Sequence, residues 1–251
     1  MQIQNKIAVV VGGASGLGKA SAQLLQQNGA KVIIWDKTKP SETAENIPWI
    51  ACEVEKATSL EAALETTISQ YGIPHIAVHC AGIVSAFRLF DKEGVASPLE
   101  YFQKVLEVNL LGSCNMLRIM AAAMQKHTPD AETQERGVCI LTASVAAYEG
   151  QIGQVAYSAS KGGVVGMTLP AARELASFGI RVNTIAPGVM GTPMMRSMPE
   201  AVQQSLSQNV PFPKRLGEPE EFAALVAHLI TNTYMNGAVV RLDGALRLQA
   251  K

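Results

Sequence analysis

Short apolar runs alternate along this chain with longer stretches whose apolar positions recur at helical spacing. The runs at residues 6–11, 31–35, 48–52, 76–80, 138–141, 180–186 and 238–242 read as strands. The intervening stretches predict helices. One runs from the glycines at 12–18 to about Asn28 and stops at Gly29, and another spans 58–71 with Gly72 as its stop. A long helix is expected over 98–125, and one opening at Tyr157 should reach about Phe178, with Pro170 as a candidate kink. Two more cover 201–209 and 219–231. Residues 37–48 are polar and bounded by prolines, a short helix at most, and 126–137 reads as a polar surface loop. The connection at 84–98 is longer than a tight turn between strand and helix needs, and long loops at that edge of a sheet tend to touch ligands. There is no internal repeat and no linker. Strands alternating with helices predict an α/β fold, a seven-stranded parallel sheet with helices on both faces.

Composition narrows this to one domain over residues 1–251, since 48% hydrophobic and 17% charged residues suit one large core. Lysine plus arginine equals aspartate plus glutamate at 21 each, so no global field attracts nucleic acid or an anionic membrane. The start, Met-Gln-Ile-Gln-Asn-Lys, lacks the basic and apolar regions of a secretory signal, and no apolar run approaches bilayer length. A cytoplasmic protein is expected. Cys52, Cys80, Cys114 and Cys139 lie in or beside apolar segments without C-x-x-C spacing and read as reduced core thiols. No metal is expected: His75 and His79, four apart on a strand, would be about 13 Å apart.

Two patterns carry candidate chemistry. Gly12, Gly13, Gly16 and Gly18 sit between a strand and a helix, where a backbone without side chains can approach a pyrophosphate and the helix N-terminus suits its charge. Asp36, at the end of the second strand, can accept hydrogen bonds from ribose hydroxyls. A 2′-phosphate about 4 Å from that carboxylate would be repelled by roughly 4 kcal/mol, which favours NAD, although Lys19 and Lys37 could meet a phosphate. The second pattern is a strand ending near Thr142 and Ser144, followed by Tyr157 and Lys161 four apart on one helical face. An ammonium beside a phenol lowers the phenol pKa, and Ser144 can hydrogen-bond a carbonyl or alcohol. Ser144 is no nucleophile, because Gly-x-Ser-x-Gly is absent and no histidine stands near it.

Ser144, Tyr157-Ser-Ala-Ser-Lys161 and Gly12-Gly-Ala-Ser-Gly16-Leu-Gly18 resemble the short-chain dehydrogenase/reductase family over essentially the whole chain. The resemblance implies a single doubly wound Rossmann domain and hydride-transfer chemistry. By it, Tyr157 exchanges the alcohol proton, Ser144 orients the oxygen, and Lys161 lowers the phenol pKa and holds the ribose. Asn109, within Val108-Asn-Leu-Leu-Gly112, would hold a water that relays protons to the lysine; a satisfied core asparagine is the alternative. The family pattern places the cofactor against Gly12, Ser15, Gly16, Leu17, Gly18, Asp36, Glu53, Val54, Cys80, Ala81, Gly82, Pro187, Gly188 and Thr192 as well as Tyr157 and Lys161. Ser15 stands where many NADP-using relatives carry arginine. The chain departs from the pattern at Val11, where threonine is usual, at Glu53, where aspartate is usual, and at His79-Cys80, where two asparagines are usual. His79 reads as a structural, hydrogen-bonded side chain.

Residues 142–151, 210–213 and 241–245 are further similar to members of the family that oxidise (S)-3-hydroxyacyl-CoA. This implies an acyl-CoA substrate bordered by Gln151, with the 84–98 loop facing the thioester arm. Arg88 or Lys92 would be a candidate for a substrate phosphate, or simply part of a solvated loop. Met190, Met194, Met195 and Met198 suit either an adaptable pocket or core filling. Relatives usually form tetramers, so a homotetramer is expected. An NADPH-dependent 3-oxoacyl-[acyl-carrier-protein] reductase and a non-catalytic NAD-binding scaffold are the rival readings.

Overall fold

A computed structural model describes residues 1–40, 47–84 and 86–250, and leaves the side chain of Met194 undescribed. Its seven strands are β1 (Ile7–Val11), β2 (Lys31–Asp36), β3 (Trp49–Ala51), β4 (Ile76–His79), β5 (Gly137–Thr142), β6 (Ile180–Pro187) and β7 (Val239–Leu242). They form one sheet in the order β3-β2-β1-β4-β5-β6-β7. Every pairing is parallel, with Val9 opposite both Ile33 and Ala77. The order reverses between β1 and β4, where a parallel sheet opens a crevice at its C-terminal edge.

Successive strand residues point to opposite faces, and each face is covered by helices. Val9, Val11, Ile33 and Trp35 pack under α2 (Ala57–Tyr71), α4 (Gly112–Met124) and α5 (Val155–Ala176). Ala8, Val10, Val32 and Ile34 pack under α1 (Gly16–Gln27) and α8 (Pro219–Thr231). Burial on both faces is why the central strands are apolar throughout instead of alternating.

Several expectations change. The helix read as continuous over 98–125 is α3 (Leu99–Leu106), a π-helical turn at Glu107–Leu111, and α4. Periodicity cannot show one extra residue in a turn, because both flanking segments keep their apolar faces. The Leu99–Met124 stretch, at 26 residues, is long and apolar enough to cross a bilayer, against the expectation of no such run; half of its apolar window is buried within the protein. The 126–137 loop is not wholly superficial: Glu135 is buried and meets Arg181 of β6 at 2.7 Å. Arg181 also donates to the carbonyls of Leu229, Ile230 and Met235, so a charge within an apolar strand finds full satisfaction.

Cys52 and Cys139 are core thiols, but Cys80 is only half-buried and Cys114 is exposed on the outer face of α4. Met190 is core, whereas Met198 is exposed. The expectation for 37–48 falls largely on residues 41–46, outside the described residues. His75 stacks on His127 with ring centroids 3.8 Å apart. Burial and the neighbouring imidazole push its pKa down to about 4. The short helices α6 (Pro193–Arg196) and α7 (Glu200–Gln208) follow β6.

Candidate active site

The glycine turn is shaped by close backbone approach. A Cβ on Gly12, whose φ is 75°, would lie 2.5 Å from the amide nitrogen of Ala81, and one on Gly18 would lie 2.1 Å from the Gly12 carbonyl oxygen. The turn therefore lies directly on the chain leaving β4. Gly16, with φ 53°, faces Thr192, whose Cγ2 would be 3.3 Å from a Cβ there. Ser15 is the N-cap of α1 but makes no side-chain cap bond, and the first turn holds no acid, so the positive helix end is not already neutralised. Asp36 is pinned to this turn: Oδ2 accepts from the Ala14 amide at 3.0 Å and Oδ1 from the Thr38 amide at 2.9 Å. A bare backbone cradle, a helix N-terminus and a carboxylate beside them fit a dinucleotide's diphosphate and ribose.

The other predicted cofactor residues divide. Ala81 and Gly82 line the exit from β4, Pro187 ends β6, and Gly188 donates to the Leu242 carbonyl at 2.9 Å. Leu17 packs partly into the core below the turn. Glu53 is turned aside into an exposed ion pair with Lys56 at 2.8 Å, and Val54 lies buried where a Cβ on Gly112 would be 3.1 Å from its Cβ.

Ser144 caps the 3₁₀ turn Val145–Ala147, its Oγ accepting from the Ala146 amide at 3.1 Å. That bond uses a lone pair and leaves the hydroxyl proton available. Tyr157 and Lys161 occupy one face of α5, with the lysine Nζ 5.9 Å from the phenol ring centroid. Lys161 is buried and donates to the Thr142 carbonyl at 2.8 Å. A Cβ on Gly82 would be 3.2 Å from Asn109 Oδ1 and 3.5 Å from Lys161 Nζ, so β4, the π turn and α5 converge on one place.

The electrostatics depart from the expected pattern. Burial pushes the Tyr157 phenol up, with the adjacent Ser144 hydroxyl pulling the other way, so the lysine does not dominate. Its ammonium is committed to the Thr142 carbonyl and addresses the ring only at a distance. Burial lowers Lys161 itself to about 8. Desolvation and the lysine's charge hold His79 neutral, at about 3, while burial raises the Cys80 thiol to about 12.

Asn109 is a clamp. Its Oδ1 accepts from the Ile83 amide at 2.8 Å, and Nδ2 donates to the Ile83 carbonyl at 2.9 Å and to Ser160 Oγ at 3.1 Å. Both amide hydrogens are thereby used, and Oδ1 keeps one lone pair. His79 Nδ1 lies 3.4 Å from Ser113 Oγ, and its buried Nε2 has no hydrogen-bond partner among the described residues.

Gln151 donates to the Gln249 carbonyl at 3.2 Å. The loop at 86–97 docks on the segment before α5 through the Phe87 amide and the Gly153 carbonyl, 3.0 Å apart. Sequence reasoning missed Arg247 and used Glu149, Arg241 and Asp243 only as part of a resemblance. The ion pairs to Glu149 join residues more than ninety positions apart, and no local spacing announces them.

A family model described as enoyl-(acyl carrier protein) reductase matches residues 12–246. The chain belongs to the short-chain dehydrogenase/reductase family. As a member it is an oxidoreductase, of a type that uses a nicotinamide cofactor. It is 47% identical to the 3-hydroxyacyl-CoA dehydrogenase type-2 of Homo sapiens over 98% of this chain and 97% of that protein. The protein of the same name from Drosophila melanogaster is 46% identical over 98% and 99% respectively. A crystal structure of 3-hydroxyacyl-CoA dehydrogenase type-2 from Mycobacterium avium superimposes with a TM-score of 0.93 at 41% identity, covering all of both chains.

Proposed function

We propose that this short-chain dehydrogenase interconverts a 3-hydroxyacyl-CoA and a 3-oxoacyl-CoA with NAD. The observation carrying the substrate is the near-full-length similarity to 3-hydroxyacyl-CoA dehydrogenase type-2 proteins. Asp36, fixed on the Ala14 amide, supports NAD over NADP by repelling a 2′-phosphate. The glycine turn, Asp36, Gly188 and Thr192 would hold the dinucleotide, which would supply or accept the hydride.

The chain's own groups manage the oxygen and its proton. Ser144 hydrogen-bonds the substrate oxygen through its hydroxyl and fixes its direction. Tyr157 transfers the one proton that accompanies the hydride. A phenol raised by burial is protonated at neutral pH, which prepares it as the acid when a ketone is reduced. In oxidation it must first ionise, and the buried charge of Lys161 is the nearby group that favours ionisation. Asn109 acts at one remove, holding Ile83 and Ser160 so that Gly82 and Lys161 keep their places.

We propose further that copies assemble as a homotetramer. An apolar groove of about 510 Å³ between the outer faces of α4 and α5, lined by Cys114, Leu117, Met167 and Pro170 among others, supports an intersubunit contact there. Light scattering measures that state.

Initial rates on acetoacetyl-CoA with NADH and with NADPH test the reading. NADH should be preferred, and Tyr157→Phe should cut turnover at least about a hundredfold with NADH binding nearly intact. A preference for NADPH, or near-normal turnover in the variant, contradicts it.

A further inference from the structure

The end of β7 carries a charge cluster that the chemistry above leaves unused. Arg241 forks onto Glu149, with Nη1 to Oε1 at 2.8 Å and Nη2 to Oε2 at 3.0 Å. Its Nε donates to Asp243 at 2.7 Å and its Nη2 to the Leu246 carbonyl at 3.1 Å. Four of its five N–H donors are thereby engaged, and the guanidinium lies 5.2 Å from the Tyr148 ring centroid. Arg247 closes the cluster, reaching Asp243 at 3.1 Å and Glu149 at 3.5 Å.

What the cluster joins gives it meaning. Glu149 lies between Ser144 and Tyr157, in the segment that carries Gln151. The C-terminal stretch beyond Leu246 lies on that segment, with the Ile152 amide donating to the Ala250 carbonyl at 3.0 Å and Gln151 reaching Gln249. On its other side, the Leu242 carbonyl receives the Gly188 amide at 2.9 Å, tying the same turn to the proposed cofactor side. The 86–97 loop is bound to this assembly through Gly153. The segment ahead of Tyr157, the C-terminal stretch, the Gly188 turn and the 86–97 loop, distant in sequence, are thus linked through the ion pair or beside it.

We propose that Arg241 is a positioning residue for the acyl-CoA substrate, its fork on Glu149 fixing the segment ahead of Tyr157 and the C-terminal stretch as one rim. The inference rests on the function proposed above. Arg241 reaches neither Ser144 nor Tyr157 by any hydrogen bond or ion pair described, so it acts on substrate placement and not on proton transfer. The fork needs a planar guanidinium; a lysine supplies charge without two parallel bonds.

Three full-length variants, Arg241→Met, Arg241→Lys and Glu149→Gln, are compared with the wild type. The readouts are acetoacetyl-CoA kinetics, NADH binding by fluorescence, and amide hydrogen exchange at residues 146–154 and 246–250. Arg241→Met should raise KM for acetoacetyl-CoA about tenfold or more, with kcat within about threefold and NADH affinity within about twofold. Arg241→Lys should recover only part of this, Glu149→Gln should reproduce it, and exchange should quicken in both segments together. Should Arg241→Met fail to fold, the isosteric Glu149→Gln carries the test. Unchanged KM and exchange in Glu149→Gln would overturn the proposal, as would loss of kcat and NADH binding in step with KM. A wild type inactive on acetoacetyl-CoA with either nicotinamide would instead refute the proposed function, and coordinated exchange would still decide whether the fork holds the rim.

Discussion

The two sides of the candidate site are held by different means. Around the glycine turn, backbone meets backbone, Gly12 on Ala81 and Gly18 on Gly12, with a single carboxylate, that of Asp36, on the amide of Ala14. Around Tyr157, side chains do the holding: Lys161 on Thr142, Asn109 on Ile83 and Ser160, Arg241 on Glu149. A surface made of main chain has little freedom to vary, which suits a ligand whose diphosphate and ribose are invariant. A surface made of long side chains can be altered one residue at a time, which suits the partner that differs between relatives.

The largest effect should come from violating the backbone side. Gly18→Ala places a methyl group against the Gly12 carbonyl, with no flexible side chain to yield, and should cost about 3 kcal/mol or more in urea unfolding. An ordinary cost below about 1 kcal/mol would mean that the turn adjusts, and the contrast would weaken.

A smaller effect should expose the charge stored on the other side. Lys161 is lowered by burial to about 8 in the folded chain, below the usual lysine value of 10.5. The unfolded chain therefore binds the proton more tightly between those values, so the lysine is a full liability below the lower one and a shrinking one as pH rises. Lys161→Met should be more stable relative to wild type near neutrality, and the gap should narrow by about 2 kcal/mol between about pH 7.5 and pH 10 in denaturant titrations. A gap independent of pH would show that the amine is not desolvated.

The smallest concerns the outer face of the same helix. Among the described residues nothing lies within 4 Å of a Cβ on Gly166, so Gly166→Ala should stabilise a lone chain by up to about 1 kcal/mol. A dissociated assembly on light scattering, in place of that gain, would mean that a second copy occupies this face.

This division also explains what could be read in advance. The strand runs, the glycine turn, Asp36 and the Ser144, Tyr157, Lys161 set are local patterns, each visible within a few tens of residues. Arg241 with Glu149 and Glu135 with Arg181 are not, because their partners come together only when the sheet has formed. Lys161 is legible from its helical spacing to Tyr157, but its hydrogen bond to the Thr142 carbonyl is not, because that partner belongs to a different element. Cys114 looked internal because its neighbours are apolar, and only the packing of α4 reveals which face it takes.

The wide turn at Glu107–Leu111 has a consequence for how this helix can change over time. A wide turn holds one residue more than an ordinary one, so taking a residue out there would leave regular helix with both flanking faces still in register. Met116, Met120 and Met124 would stay on the sheet, and the loss would fall on the hold of Asn109 on Ile83. A shortened helix would keep the core and give up the clamp.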